Sequence, residues 1–108
     1  MISLVRYQQP DGSEPLTIWL TEIRDKMAQA RIRIRVRQIE AGNFGDCVAV
    51  AVGEGVSELR VHVGAGYRAY FGRHGQTLVV LLCGGDKRSQ AADIKRAKLY
   101  WADWKERQ

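Results

Sequence analysis

Residues 31–37 read RIRIRVR, and the fold turns on whether this stretch is a strand or a helix. Strict alternation of charged and apolar residues is a strand pattern. Yet the residues just before it, DKMAQA, read as helix, and arginine is itself a good helix former. At about 100° per residue, Ala28, Ile32, Val36 and Ile39 share one face. Met27, Ala30, Ile34 and Ala41 form a second stripe. Arg33 and Arg37 lie between the stripes on one side, Arg31 and Arg35 on the other. Gly42-Asn43 then supplies a helix stop. The helical reading therefore gives one stripe for a sheet and another for helix one or a partner, with paired arginines dividing them.

Working outward, residues 2–7 (ISLVRY) read as a first strand and QQPDGSEP as a turn. From Pro15, Leu16, Trp19, Leu20, Ile23 and Met27 keep helical spacing, with Ser13 as a plausible cap, so a helix is expected from Glu14 to Asp25. After the 31–37 segment, GNFGD is a loop. CVAVAVG, residues 47–53, reads as a short strand or an extended connection. VSELRVHV alternates: Leu59, Val61 and Val63 point one way, and Glu58, Arg60 and His62 the other. In YRAYFG, Tyr67, Ala69 and Phe71 share a face opposite Arg68 and Tyr70. RHGQ is a hairpin tip, TLVVLLC a buried central strand, and GGDKR a turn. Ser89 can cap a last helix with an Ile94, Ala97, Trp101 and Trp104 stripe. The order strand, helix, helix, three strands, helix predicts a single α+β domain over residues 1–108. Its sheet is mostly antiparallel, with two helices on one face and a C-terminal helix.

Composition narrows the function. The chain has 108 residues and 45% hydrophobic content, enough for one core. No apolar run approaches the ~20 residues of a membrane span, and the N-terminus has no leader-like apolar stretch. Cys47 and Cys83 lack CxxC spacing, so no zinc site is expected, and with no secretion signal reduced thiols in a cytoplasm are the default; no cofactor is expected. The formal charge of +5 and a pI near 9.6 favour a polyanionic partner, either nucleic acid or an acidic protein.

The polar sheet face carries Glu58, Arg60, His62, Arg68 and Tyr70, and Lys87 follows the central strand. Half-covered sheets always have a polar face, but these are acid, base and phosphate-binding types in one patch. Metal-free RNA cleavage must remove a proton from the 2′-hydroxyl, give one to the 5′-oxygen and stabilise phosphate charge. Glu58 or His62 suits the first task, and Arg60, Arg68 and Lys87 suit the phosphate. Tyr70 suits positioning of a base or the hydroxyl. Arg31, Arg33, Arg35, Arg37 and Arg88 are read as an RNA or partner surface.

Four blocks carry a resemblance: ARIRIRVRQIEAGNFGD (30–46), GEGVSELRVHVGAGYRAYF (53–71), VVLLCGGDKRSQAADIKRAK (79–98) and the Trp19-Leu20 pair. In this order the chain resembles the RelE/ParE superfamily of type II toxin–antitoxin toxins, most closely its HigB-like addiction module killer branch. The resemblance implies a RelE-like β-α-α-β-β-β-α fold. It also implies a toxin neutralised by an antitoxin from the same operon, in some systems a helix-turn-helix protein. Many such relatives are ribosome-dependent endoribonucleases that cut mRNA. Their functional positions match Arg60, Arg68 and the segment Gly84 to Arg88. The chain departs from well-studied ribosome-dependent members in its apolar CVAVAV and in Ala91-Ala92, where some relatives carry a tyrosine. ParE-type relatives inhibit DNA gyrase instead, and a third possibility is a non-enzymatic co-repressor acting with its antitoxin.

Overall fold

The computed structural model describes residues 2–49 and 54–108. Its elements are strand β1 (Ser3–Arg6), helices α1 (Pro15–Glu22) and α2 (Lys26–Glu40), and strands β2 (Cys47–Ala49), β3 (Val56–Val61), β4 (Tyr67–His74) and β5 (Leu78–Asp86). A short 3-10 turn (Lys87–Ser89) and helix α3 (Gln90–Glu106) follow. Among the described residues the five strands form one sheet in the order β1-β5-β4-β3-β2. β1 runs parallel to β5, and the other neighbours are antiparallel. The expected α+β class, the mostly antiparallel sheet and the C-terminal helix are all present. No helix among the described residues is long and apolar enough to cross a membrane.

RIRIRVR lies inside α2. Ala28, Ile32, Val36 and Ile39 are all buried and pack with Leu16 and Leu20 of α1 against Leu59, Phe71 and Leu81 of the sheet. A helix with one unbroken apolar face gains more by covering a sheet than by joining its edge. The helix starts at Asp25, whose carboxylate accepts from the backbone N–H groups of Met27 and Ala28. α1 stops at Glu22, three residues short of the expected Asp25, because Ile23 is extended at its C-cap. Ser13 does not cap α1, whose N-cap is Glu14. The second stripe stays in solvent, with Met27 74% and Ile34 51% exposed.

Two expectations are corrected. GGD does not turn the chain, because β5 continues through Asp86. Glycine is needed there for space. A Cβ on Gly84 would sit 2.2 Å from the Trp19 ring, and one on Gly85 1.8 Å from an Asp93 carboxylate oxygen. The second face of the sheet is also not open throughout. α3 lays Ala97 and Trp101 over it, building a second core with Tyr7, Val56, Tyr70 and Leu82. The expected Ile94, Ala97, Trp101 and Trp104 stripe is the side of α3 that packs there. Of the CVAVAVG segment, Cys47–Ala49 is strand, and the remainder lies outside the described residues.

Candidate functional site

Pairing of β3 with β4 sets Arg60 opposite Arg68 and Glu58 opposite Tyr70, while β5 brings Gly85 beside Arg68. Like charges directly opposite on adjacent strands repel, so this pair needs an anion. Glu58 supplies one from within the protein, at 2% exposure. One carboxylate oxygen accepts from Arg60 Nε at 3.1 Å and from an Arg68 guanidinium nitrogen at 3.3 Å. The other accepts from Gln90 Nε2 at 3.2 Å, at the first turn of α3. With both oxygens engaged, Glu58 aims two arginines and is poorly placed to receive a proton from a substrate.

Beyond the arginines the surface opens into a cavity of about 110 Å³ lined by Arg60, His62, Gly66, Tyr67, Arg68 and Lys87. Four sequence-predicted residues thus meet at one opening. Lys87 is exposed at the start of the 3-10 turn. That turn is held by Asp86, which accepts from the backbone N–H of Arg88 at 2.9 Å and of Ser89 at 3.2 Å. Ser89 is therefore a member of the Asp86 capping box and places no side-chain cap on α3.

His62 lies just beyond β3, with its side chain 69% exposed and Nε2 hydrogen-bonded to the Asp46 carboxylate. That hydrogen bond holds the Asp46 carboxyl below its ordinary range. The Asp46 carbonyl also accepts from the Arg60 N–H at 3.0 Å, which ties the loop to the strand that carries the site. A carboxylate that fixes an imidazole is a recurring arrangement for proton transfer. Asp46 escaped the sequence reading because a loop aspartate next to GNFG gives no sign of its strand neighbour. Only the β2–β3 register, with Cys47 opposite Leu59, brings it to His62. Gln90 escaped it because its contact with Glu58 runs from α3 to β3, and Tyr67 because alternation along β4 puts it on the face opposite Arg68.

Two other candidates fall away from the opening. Tyr70 has no exposed surface and its hydroxyl has no hydrogen-bond partner among the described residues. It is a core residue beneath α3. Burial, then the nearby Glu58 and Asp93 carboxylates, push its phenol above the ordinary tyrosine range. Arg35 is a structural tie, donating to the Arg60 carbonyl at 2.7 Å and to the Phe44 carbonyl at 3.1 Å. It braces the backbone under Arg60 from α2. Arg31, Arg33 and Arg37 are exposed on α2, and Arg88 is exposed beside Asp86 at 3.6 Å. Among the described residues no three of His, Cys, Asp and Glu are grouped to hold a metal ion.

Fold and site define an α+β protein with helices on both sheet faces and a carboxylate-backed, arginine-rich opening where β3 ends and β4 begins. Sequence comparison finds a relative in Haemophilus influenzae (strain ATCC 51907 / DSM 11121 / KW20 / Rd) named "Uncharacterized protein". It is 46% identical over 81 residues, covering 75% of this chain and 80% of the relative. The chain belongs to the family of that Haemophilus protein. No family model matches it.

Proposed function

We propose that the chain is a RelE/ParE-superfamily, HigB-like toxin of a type II toxin–antitoxin system, acting in the cytoplasm as a ribosome-dependent, metal-independent mRNA endoribonuclease. The observation that supports this most is the meeting of Arg60, Arg68, Lys87 and the His62–Asp46 pair at one opening. In the proposed reaction the scissile phosphate lies against Arg60, Arg68 and Lys87. Their charge offsets the negative charge that grows on the phosphoryl oxygens. His62, oriented by Asp46, accepts the 2′-hydroxyl proton. The 2′-oxygen forms a bond to phosphorus as the bond to the 5′-oxygen breaks, giving a cyclic phosphate and a 5′-hydroxyl. The leaving oxygen takes a proton from a neighbouring cation or solvent. Glu58 keeps both guanidinium groups aimed. Partners under this reading are mRNA, the ribosome and an antitoxin from the same operon.

Inducing the chain in cells, pulse-labelling protein synthesis and mapping mRNA ends tests the proposal. Loss of protein synthesis with mRNA cut within codons is expected. An SOS response with intact mRNA would point to gyrase, and a chain harmless without its antitoxin would point to a co-repressor. Arg68→Lys keeps the charge beside Glu58 but loses the fork, and should cost roughly 100-fold in cleavage. Cleavage unchanged in a folded Arg68→Lys variant would remove Arg68 from the mechanism.

A further inference from the structure

We propose that the free edge of β1 is a docking site for an extended protein segment of alternating apolar and acidic character, which adds to the sheet as a further strand. The inference rests on the strand edge and its flanks and is independent of the nuclease reading.

Among the described residues β1 is a terminal strand of the sheet. The N–H of Ser3 donates to the Thr77 carbonyl at 2.6 Å and that of Tyr7 to the Leu81 carbonyl at 2.8 Å, both toward β5. Alternate residues of a strand point their backbone groups oppositely. Leu4 and Arg6 therefore turn their N–H and C=O groups to the open side. Edges of this kind are usually blunted by charge, proline or a bulge. Here the charge in Ser3–Arg6 is Arg6, and its guanidinium donates to the Thr17 hydroxyl of α1 at 2.7 Å, so it does not guard the edge.

A cavity opens on each sheet face beside this edge. On the α2 side, about 290 Å³ is floored by Leu4, Leu20 and Val36 and rimmed by Arg6, Arg33 and Arg37, three cations against the single carboxylate of Glu40. On the α3 side, about 410 Å³ is floored by Val5, Leu78 and Trp104 and rimmed by Arg6, two glutamines and Arg107, which also pairs with Asp103 at 2.7 Å. A strand laid along β1 would send alternate side chains to these two faces. Each then meets an apolar floor with arginine at its rim, and the excess of cations is greatest on the α2 side, so the pair of faces favours apolar residues followed by carboxylates. That match sets the partner's chemistry. RNA offers no alternating backbone donors and acceptors for the edge. A second copy would bring Arg6, Arg33 and Arg37 of one chain toward the same cations of the other.

The test uses the full chain and a capped peptide of about ten residues in which leucine pairs alternate with glutamate pairs. Nuclear magnetic resonance should show shifts centred on Leu4, Val5 and Arg6 and slowed exchange of the Leu4 and Arg6 amides. Arg33→Glu with Arg37→Glu, both on the outer surface of α2, should weaken binding by about tenfold or more. Blocking alternate peptide amides by N-methylation should abolish binding in one register. Equal binding of a peptide N-methylated at either set of amides would overturn strand addition. Equal binding of a peptide with serine in place of leucine would reduce the site to an anion patch and overturn it too. Protection of the Leu4 and Arg6 amides by self-association, seen in sedimentation without peptide, would assign the edge to a second copy instead.

Discussion

Tyr70 and Glu58 face each other across β3 and β4, yet burial treats them differently. Glu58 is buried with three donors, so its charge is matched. The Tyr70 hydroxyl is buried with none among the described residues. A hydroxyl desolvated without a partner destabilises a fold by about 1–3 kcal/mol. Tyr70→Phe should therefore leave stability unchanged or raise it by up to about 1–2 kcal/mol in chemical denaturation, with RNA cleavage intact. A tenfold loss of cleavage in a stable Tyr70→Phe variant would return this residue to the site. Glu58→Ala should do the reverse. It leaves Arg60 and Arg68 facing each other without their anion, and breaking a buried pair typically costs about 3–5 kcal/mol. Cleavage should fall as well, because neither fork is then aimed. Polarity and alternation put Glu58, Arg60, Arg68 and Tyr70 on one sheet face, and that much was legible in the sequence. Which of them solvent can reach was not, because it depends on where α3 lies.

At the scale of elements, α2 was readable because its buried stripe satisfies helical spacing over four positions, a stronger constraint than the local alternation of RIRIRVR. The course of β5 was not. Glycine pairs read as turns, whereas Gly84 and Gly85 are flat strand positions cleared for Trp19 on one face and Asp93 on the other. Gly84→Ala should consequently push α1 off the sheet, with a loss of about 1–3 kcal/mol for overpacking and a changed tryptophan near-UV signal. An unchanged melting curve would mean that Trp19 moves freely. α3 is held to β1 by the Tyr7 hydroxyl donating to Asp103 Oδ2 at 2.6 Å. Burial, then that hydrogen bond, raises the Tyr7 phenol to about 12, and the same bond lowers the Asp103 carboxyl. The raised phenol contributes stability that is full below ~10 and is lost as pH rises toward 12. The lowered carboxylate contributes stability that is present above ~4 and is lost as pH falls through its folded value. Tyr7→Phe should flatten both limbs of the stability–pH profile. A profile parallel to that of the unaltered chain would show the contact to be energetically idle.

For the whole molecule, the formal charge of +5 resolves into separate basic regions with separate tasks. Arg35 is spent on backbone carbonyls, Arg33 and Arg37 rim the β1 cavity, and Arg60, Arg68 and Lys87 meet at the proposed phosphate site. Charge count alone predicts that removing any cation weakens RNA binding equally, whereas the geometry predicts otherwise. Each phosphate neutralised on a single strand contributes about −0.7 to the slope of log affinity against log salt. A trinucleotide carries two phosphates, so seated only at the opening it should show a slope no steeper than about −1.4. Lys87 is exposed and joins no ion pair with the described residues, so Lys87→Ala should reduce the slope by about 0.7 without affecting the melting temperature. Arg33→Glu with Arg37→Glu should leave the slope unchanged, since those side chains lie on α2 and rim a different cavity. Fluorescence anisotropy with a 2′-O-methyl trinucleotide, which binds without being cut, reads these slopes between about 50 and about 300 mM salt. Equal slope changes for the two variants would mean that RNA feels only the net charge, and the opening where β3 ends and β4 begins would lose its claim to be the phosphate site.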